Sequence, residues 1–343
     1  MQGVSVVQAT DSDETRWNAY VQASEQATFF HLFEWRQLLQ AQKFETYYLL
    51  AEDQNGIAGL LPLARVKSLL FGDHLVSLPF CVNVGVIASS SEAANALLDS
   101  AVDLAKELGV EDLELRSREP VPGDWHEKNL YALFRKEIPT DEDEMMSAIP
   151  RKQRAMVRKG IKANLTAEIS REIDPFFNIY AESVRNLGTP VFSKRYLASL
   201  LDTFGEAADV LLVKAPDGQV VAAVMNFYFK NEVLPYYGGS ISAARPLKAN
   251  DFMYWELMRH AVGRGANVFD YGRSRIGTGP YSFKKNWGFD PQPLAYQYHL
   301  VKASEVPQVN PKNPKYELMI NTWKRLPLPV ANTLGPWVSR FLG

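Results

Sequence analysis

Leu49-Leu50-Ala51-Glu52-Asp53-Gln54-Asn55-Gly56-Ile57-Ala58-Gly59 and Leu211-Leu212-Val213-Lys214-Ala215-Pro216-Asp217-Gly218-Gln219-Val220-Val221 read as one pattern written twice. Each is an apolar run, a turn and a second apolar run. Asn-Gly and Asp-Gly supply the positive φ angles that hairpin turns need. Working outward, an amphipathic stretch precedes each hairpin, at residues 33–39 and 196–201. Downstream, residues 93–108 have helical period, with Leu97, Leu98, Ala101, Leu104 and Ala105 on one side, and stop at Gly109. The strand Leu113-Glu114-Leu115-Arg116-Ser117 follows. The second half repeats this: an apolar helix over residues 251–264, then Gly265, then Val268-Phe269-Asp270-Tyr271-Gly272-Arg273-Ser274. Leu49 to Leu211 is an offset of 162 residues and Gly109 to Gly265 one of 156. Two similar offsets argue for duplication of one α/β unit.

The expected division is a first lobe at residues 1–149, a second at 150–300 and a tail at 301–343. Thr140 is the expected N-cap of a short helix whose first turn is acidic, and Pro150 opens the next helix. The expected fold class is α/β (α+β), each lobe a mixed, mostly antiparallel sheet flanked by helices.

Composition narrows the function. The 343 residues carry 37 Lys and Arg against 39 Asp and Glu, a net charge of −2, so no globally basic nucleic-acid binder and no sequence-specific DNA partner is expected. Cys81 is alone, in an apolar run, and reads as a small buried hydrophobe in a reducing compartment. The five histidines are scattered, with no HExxH or CxxC, so no metal is expected. His260 lies in an apolar helix and reads as a packing residue. The N-terminus shows no basic region or long apolar stretch, and no apolar run reaches the ~20 residues of a membrane span. These features predict a cytoplasmic protein.

Three segments carry chemistry. Residues 151–162 hold six cations and no acid; Arg151, Arg154, Arg158 and Lys162 fall on one helical stripe, and Lys152 lies beside it. Guanidinium forks on a stripe suit phosphates. The alternative is a solvated face paired with the acidic run at 141–144. Residues 270–289 bring an acid (Asp270), two arginines (Arg273, Arg275), a glycine-rich loop, and Lys284 and Lys285 among aromatics. A lysine in such a pocket can face a developing oxyanion or bind an anion. The third segment has Tyr236 and Tyr237 before two glycines, with Asn250 downstream as the expected N-cap of the next helix. The tyrosines line a groove or pack a strand.

At these residues the chain resembles the FemAB-like acyltransferases, which are duplicated GNAT-fold proteins, and within them the subfamily associated with exosortase/PEP-CTERM and exopolysaccharide loci. The resemblance spans residues 25–300. It is most specific at Phe269-Asp270-Tyr271-Gly272-Arg273-Ser274, Gly277-Thr278-Gly279, Tyr281, Phe283-Lys284-Lys285 and Trp287-Gly288-Phe289. It implies transfer of an acyl or aminoacyl group from a thioester or a charged tRNA to an amine of a cell-envelope acceptor, with acyl-CoA or aminoacyl-tRNA as co-substrate and no bound cofactor. Lys284 is then the cation that stabilises the charged intermediate, Asp270 a base or an orienter of Arg273, and Tyr281 a substrate contact. Arg273, Arg275, Lys285, Trp287, Tyr236, Tyr237 and Asn250 would line the substrate site. Arg151, Lys152, Arg154 and Arg158 would bind phosphates. The competing readings are a non-catalytic glycan or peptide binding module of an export system, and an acyl-CoA-dependent sugar-amine N-acyltransferase.

From Lys312 onward five cations face one acid, and Leu318, Met319, Thr322, Trp323 and Leu326 form one helical face. This tail is expected to pack on the first lobe. The alternative is a peripheral contact with the inner membrane.

Overall fold

The computed structural model describes residues 3–68, 72–307 and 314–340. In chain order the elements are β1 (Ser5–Gln8), α1 (Glu14–Ala23), α2 (Glu34–Ala41), β2 (Glu45–Asp53), β3 (Gly56–Ser68), β4 (Gly72–Val76), β5 (Ile87–Ala88), α3 (Ser91–Leu108), β6 (Asp112–Ser117) and β7 (His126–Lys128). There follow β8 (Tyr131–Glu137), α4 (Glu142–Ala148), α5 (Arg151–Lys162), β9 (Thr166–Ser170), α6 (Ile173–Leu187), α7 (Lys194–Phe204), β10 (Ala208–Lys214), β11 (Val220–Phe229) and β12 (Glu232–Ser240). The chain ends with α8 (Ala244–Leu247), α9 (Ala249–Gly263), β13 (Val268–Arg275), α10 (Gly279–Asn286), β14 (Gln292–Pro293), β15 (Ala295–Leu300), α11 (Pro314–Arg325) and α12 (Leu328–Ser339).

These elements form two units, one of residues 3–130 and 293–307, the other of residues 131–292 and 314–340. The first sheet runs β1-β2-β3-β4-β6-β15-β7 and the second β9-β10-β11-β12-β13-β8-β14, which is the same order of roles. In each, a hairpin leads to a strand, a helix crosses over, and the next strand pairs in parallel. The boundary expected near residue 149 is therefore corrected. β8 follows the first half in sequence but pairs with β13, and β15 follows the second half but lies between β6 and β7.

Local sequence explains the elements. Ser90 caps α3 by accepting the Ala93 amide at 3.2 Å, and Gly109 ends it at φ +60°. The first hairpin is tight: Asp53 Oδ1 accepts the Asn55 amide and Gly56 takes φ +112°. The second is wider, closed by Ala215 N to Gln219 O at 2.8 Å. β11 has almost no exposed face, so its run Val-Val-Ala-Ala-Val-Met is apolar throughout rather than alternating. In the first unit Leu97, Leu98 and Ala101 of α3 pack on Leu49, Leu61 and Leu113. In the second, Phe252, Trp255 and Met258 of α9 pack with Phe134, Leu211 and Phe269. Cys81 is buried.

Three further expectations are corrected. Asp141, not Thr140, caps α4 by accepting the Glu144 amide at 2.9 Å. Lys248, at φ +60°, occupies the N-cap of α9, and Asn250 is exposed within its first turn. The tail packs on the second unit: α11 and α12 both lie against α6, and Gly188 meets Ile320 and Lys324.

Candidate functional site

β12 and β13 pair in parallel only at Glu232↔Val268 and Val233↔Phe269, and then part. Beyond that point the ladder leaves a gap, with no pairs between the two strands, and unpaired strand edges are where an extended ligand can add hydrogen bonds. β13 then bulges. Asp270 opposes Arg135 and Arg273 opposes Leu133, so Tyr271 and Gly272 together face Phe134. Gly272 takes φ +69°, a conformation that costs a residue with a side chain. Asp270, 2 % exposed, holds the bulge by accepting the Gly272 amide at 2.7 Å.

Lys284 closes the bulge from α10. Its Nζ donates to Gly272 O at 3.1 Å and Arg273 O at 2.9 Å, and lies 5.6 Å from the centre of the Phe134 ring. Burial lowers its pKa to about 8; Asp270 works against that shift and Arg273 adds to it. Two of its three N–H bonds are used by the carbonyls, which leaves one donor. The residues expected as a loop after Gly277 are helical. Gly279–Asn286 forms α10, with Pro280 in its first turn where the missing amide costs nothing.

The other expected residues separate into groups. Arg273 stacks over Tyr131 at 4.7 Å, and Lys285, exposed, lies 6.0 Å from the Tyr281 ring. Tyr281 is half-buried and edge-on to Phe134 at 5.2 Å. Arg275 is half-buried, and its carbonyl accepts the Thr278 hydroxyl at 2.6 Å. These residues gather around the bulge. Tyr236 and Tyr237 stand on β12; Tyr237 is buried among Tyr180, Phe192 and Tyr196, so it packs, while Tyr236 is half-buried.

Trp287 is not a surface contact. It is 1 % exposed and donates from Nε1 to Asp251 Oδ1 at 3.2 Å. Gln153 Nε2 donates to the same oxygen at 3.1 Å. This bond set, which the sequence reading missed, ties α5 and α9 to the residue that ends α10. Burial pushes the Asp251 carboxyl above its ordinary range, and the two donors oppose that shift. Likewise His260 is held by Asp209, Nε2 to Oδ2 at 3.2 Å.

α5 lies on α9 through Gln153, Val157 and Gly160, where a β-carbon on Gly160 would sit 2.7 Å from Phe252 Cβ. The cations are thereby turned outward. Among the described residues none of the six forms an ion pair; Glu142 of the acidic run goes to Arg259 instead. Arg151, Arg154, Arg158, Lys159 and Lys162 line a groove of about 520 Å³.

The first unit handles the equivalent gap differently. Its parallel ladder covers His74 to Val76 against Asp112 to Glu114. The chain after β4 then folds back over β6: Ser77 Oγ accepts the Arg116 amide at 2.8 Å and Val84 bridges Arg116. The Arg116 guanidinium, buried, donates to Cys81 O at 3.1 Å and Leu78 O at 3.4 Å. Leu78 and Phe80, in this segment, take φ of +58° and +68°. The first gap is sealed by its own chain.

Residues 145–285 match the acetyltransferase (GNAT) domain. The GNAT match thus falls on the second unit, whose parallel ladder is the shorter one and whose β13 carries the bulge. Among solved structures the chain resembles FemX, with 16 % identity, a TM-score of 0.67, and coverage of 92 % of this chain and 100 % of that one. It also resembles the C-terminal domain of a putative lysylphosphatidylglycerol synthetase from Agrobacterium fabrum, at 14 % identity and TM-score 0.56, covering 91 % and 95 %. A tandem GNAT protein from the clavulanic acid biosynthesis pathway matches at 12 % identity and TM-score 0.54, covering 88 % and 100 %. These likenesses show the fold: two GNAT-like units in tandem, as the internal repeat predicts. No curated protein matches the chain by sequence. Among the described residues no cluster of His, Cys, Asp or Glu could hold a metal ion, and no helix is long and apolar enough to cross a membrane.

Proposed function

We propose that the chain is an acyl- or aminoacyltransferase that joins an activated acyl group to an amine of an acceptor linked to the cell envelope or to exopolysaccharide. The observation that carries this reading is the contrast between the units: past the parallel ladder the chain folds back onto Arg116 in the first, whereas in the second the ladder ends after two pairs and β13 forms a glycine bulge held by Lys284. The donor is an acyl-CoA or an aminoacyl-tRNA, and the acetyltransferase (GNAT) match supports the acyl-CoA variant.

The chemistry needs no enzyme nucleophile. A neutral amine attacks the donor carbonyl, negative charge develops on oxygen, and the thiol or ribose hydroxyl leaves with a proton from the amine. Alignment in the gap supplies the larger part, up to ~7–11 kcal/mol. The remaining N–H of Lys284 meets the oxyanion. Asp270 holds the bulge and favours the lysine cation. Arg151, Lys152, Arg154 and Arg158 take the donor's phosphates.

Two results are expected from these roles. Lys284 is charged below about 8 and neutral above it, so turnover falls as pH rises through that value, and Lys284→Arg lacks this alkaline limb. A pH profile in which both proteins decline together would remove Lys284 from the chemistry. Arg154→Ala with Arg158→Ala is expected to raise KM for the donor about tenfold or more and leave kcat near its starting value, since a charged hydrogen bond is worth ~1.5–3 kcal/mol. The effect shrinks at high salt.

Thermal melting with CoA thioesters and with aminoacyl-tRNAs tests the reading itself. A donor at 100 times its dissociation constant stabilises by ~2.7 kcal/mol. Stabilisation by one donor class, followed by amide formation with an amine acceptor, is the expected result. If neither class shifts the melt, and a glycan or peptide does, the chain is a binding module.

A further inference from the structure

α12 is built in reverse. A packed surface helix turns its large apolar residues inward and its polar ones outward. Here Ala331, Gly335 and Ser339, one helical turn apart, are the buried stripe. A β-carbon on Gly335 would lie 2.8 Å from Val191 O and 2.9 Å from Val191 N, so the helix is seated as closely as backbone allows. The outward stripe is Val330, Leu334 and Trp337, exposed to 41 %, 47 % and 76 %. The helix contains no Asp, Glu, Lys or Arg. α11, just before it, exposes Leu318 and Met319.

Cations bracket this apolar face. Lys324 and Arg325 end α11, both exposed and without an ion pair among the described residues, and Arg340 follows α12. At 12 residues α12 is about 18 Å long, well short of a ~30 Å hydrocarbon core. It can lie on a bilayer but not span it.

We infer that the outward face of α12 docks on an anionic phospholipid surface. An uncharged apolar stripe with an exposed tryptophan fits the boundary between headgroups and acyl chains, where such rings concentrate. Lys324 and Arg325, exposed just before its first turn, meet the phosphates of anionic lipid. A second copy of the chain fits less well, because a two-fold contact would bring the same cations together. The inference does not depend on the acyl-transfer reading, since this face is remote in sequence from the strand gap and shares no residue with it.

Vesicle flotation of the full chain tests it. The protein is expected to float with phosphatidylcholine vesicles that contain phosphatidylglycerol, and weakly with phosphatidylcholine alone. Leu334→Ser with Trp337→Ser should lower the bound fraction about tenfold or more. Both residues are exposed, so an unchanged melting curve will show that the variant is folded. Lys324→Glu with Arg325→Glu should abolish the preference for phosphatidylglycerol. Absence of flotation, or flotation untouched by the serine variant, overturns the inference. So does a dimer in sedimentation that the serine variant dissolves while vesicles capture nothing.

Discussion

Replacing Lys284 with methionine is expected to lower turnover about 10²–10³-fold, the cost of removing one preorganised oxyanion donor, ~3–4 kcal/mol. Methionine keeps the length and the apolar stem and removes the charge. It also removes the two hydrogen bonds to Gly272 O and Arg273 O, so the bulge loses its tie to α10. Steady-state kinetics with the donor found by thermal melting will show the loss, and the melting curve will show how much of it is structural. Lys284→Arg separates the two contributions. It retains a cation, so it should recover part of the rate, although the longer fork cannot reproduce the geometry at the two carbonyls. A Lys284→Met protein that melts normally and turns over at the original rate would reduce Lys284 to a strap between α10 and β13.

The second large effect is on stability. Trp287→Ala is expected to cost about 3–5 kcal/mol, the range for deleting a buried large aromatic side chain. Trp287 is 1 % exposed and packs with Tyr254, Tyr271 and Phe283. Its removal also leaves Asp251 Oδ1 with Gln153 as its side-chain donor. Denaturant unfolding measures the loss. Trp287→Phe retains a ring without the N–H, so its loss relative to the unaltered protein carries the hydrogen bond, about 1–3 kcal/mol, and the difference between the two variants measures the buried ring. The sequence reading placed Trp287 against substrate. On that reading the alanine variant would raise KM and unfold at the original denaturant concentration, which makes the two roles separable in one experiment.

The repeat was legible because hairpin turns and helix ends are local. Asn55-Gly56, Asp217-Gly218 and Gly109 each specify their own backbone, and each falls at a turn or a helix end. Partner choice is not local. Nothing in Tyr131-Ala132-Leu133-Phe134 distinguishes a strand for the first sheet from one for the second, and the structure assigns it to the second. Segment 279–286 looked like a loop because Gly279 and Pro280 open it; both residues suit a helix's first turn equally well. The sealing of the first unit did leave a trace. At the repeat offset of 156 residues, Glu114 answers to Asp270 and Arg116 to Gly272. The acid recurs, whereas the glycine that permits a bulge is replaced by the arginine that fills the gap. The tail's destination was misread for the same reason as β8. Its apolar residues predict a helix, but in α12 the small residues Ala331 and Gly335, not the large ones, face inward.

The exchange of β8 and β15 bears on how the molecule is made. β7 reaches the rest of its sheet only through β15, which occupies the place between β6 and β7. A ribosome adds ~5–20 residues per second, so on the order of ten seconds or more separates the emergence of β7 from that of β15. Throughout that interval the edge of β6 that β15 will cover is unpaired. The second sheet has no such wait, because its borrowed strand β8 is synthesised before all the others it joins. The later-encoded unit can therefore complete its sheet first, and the earlier-encoded one finishes last.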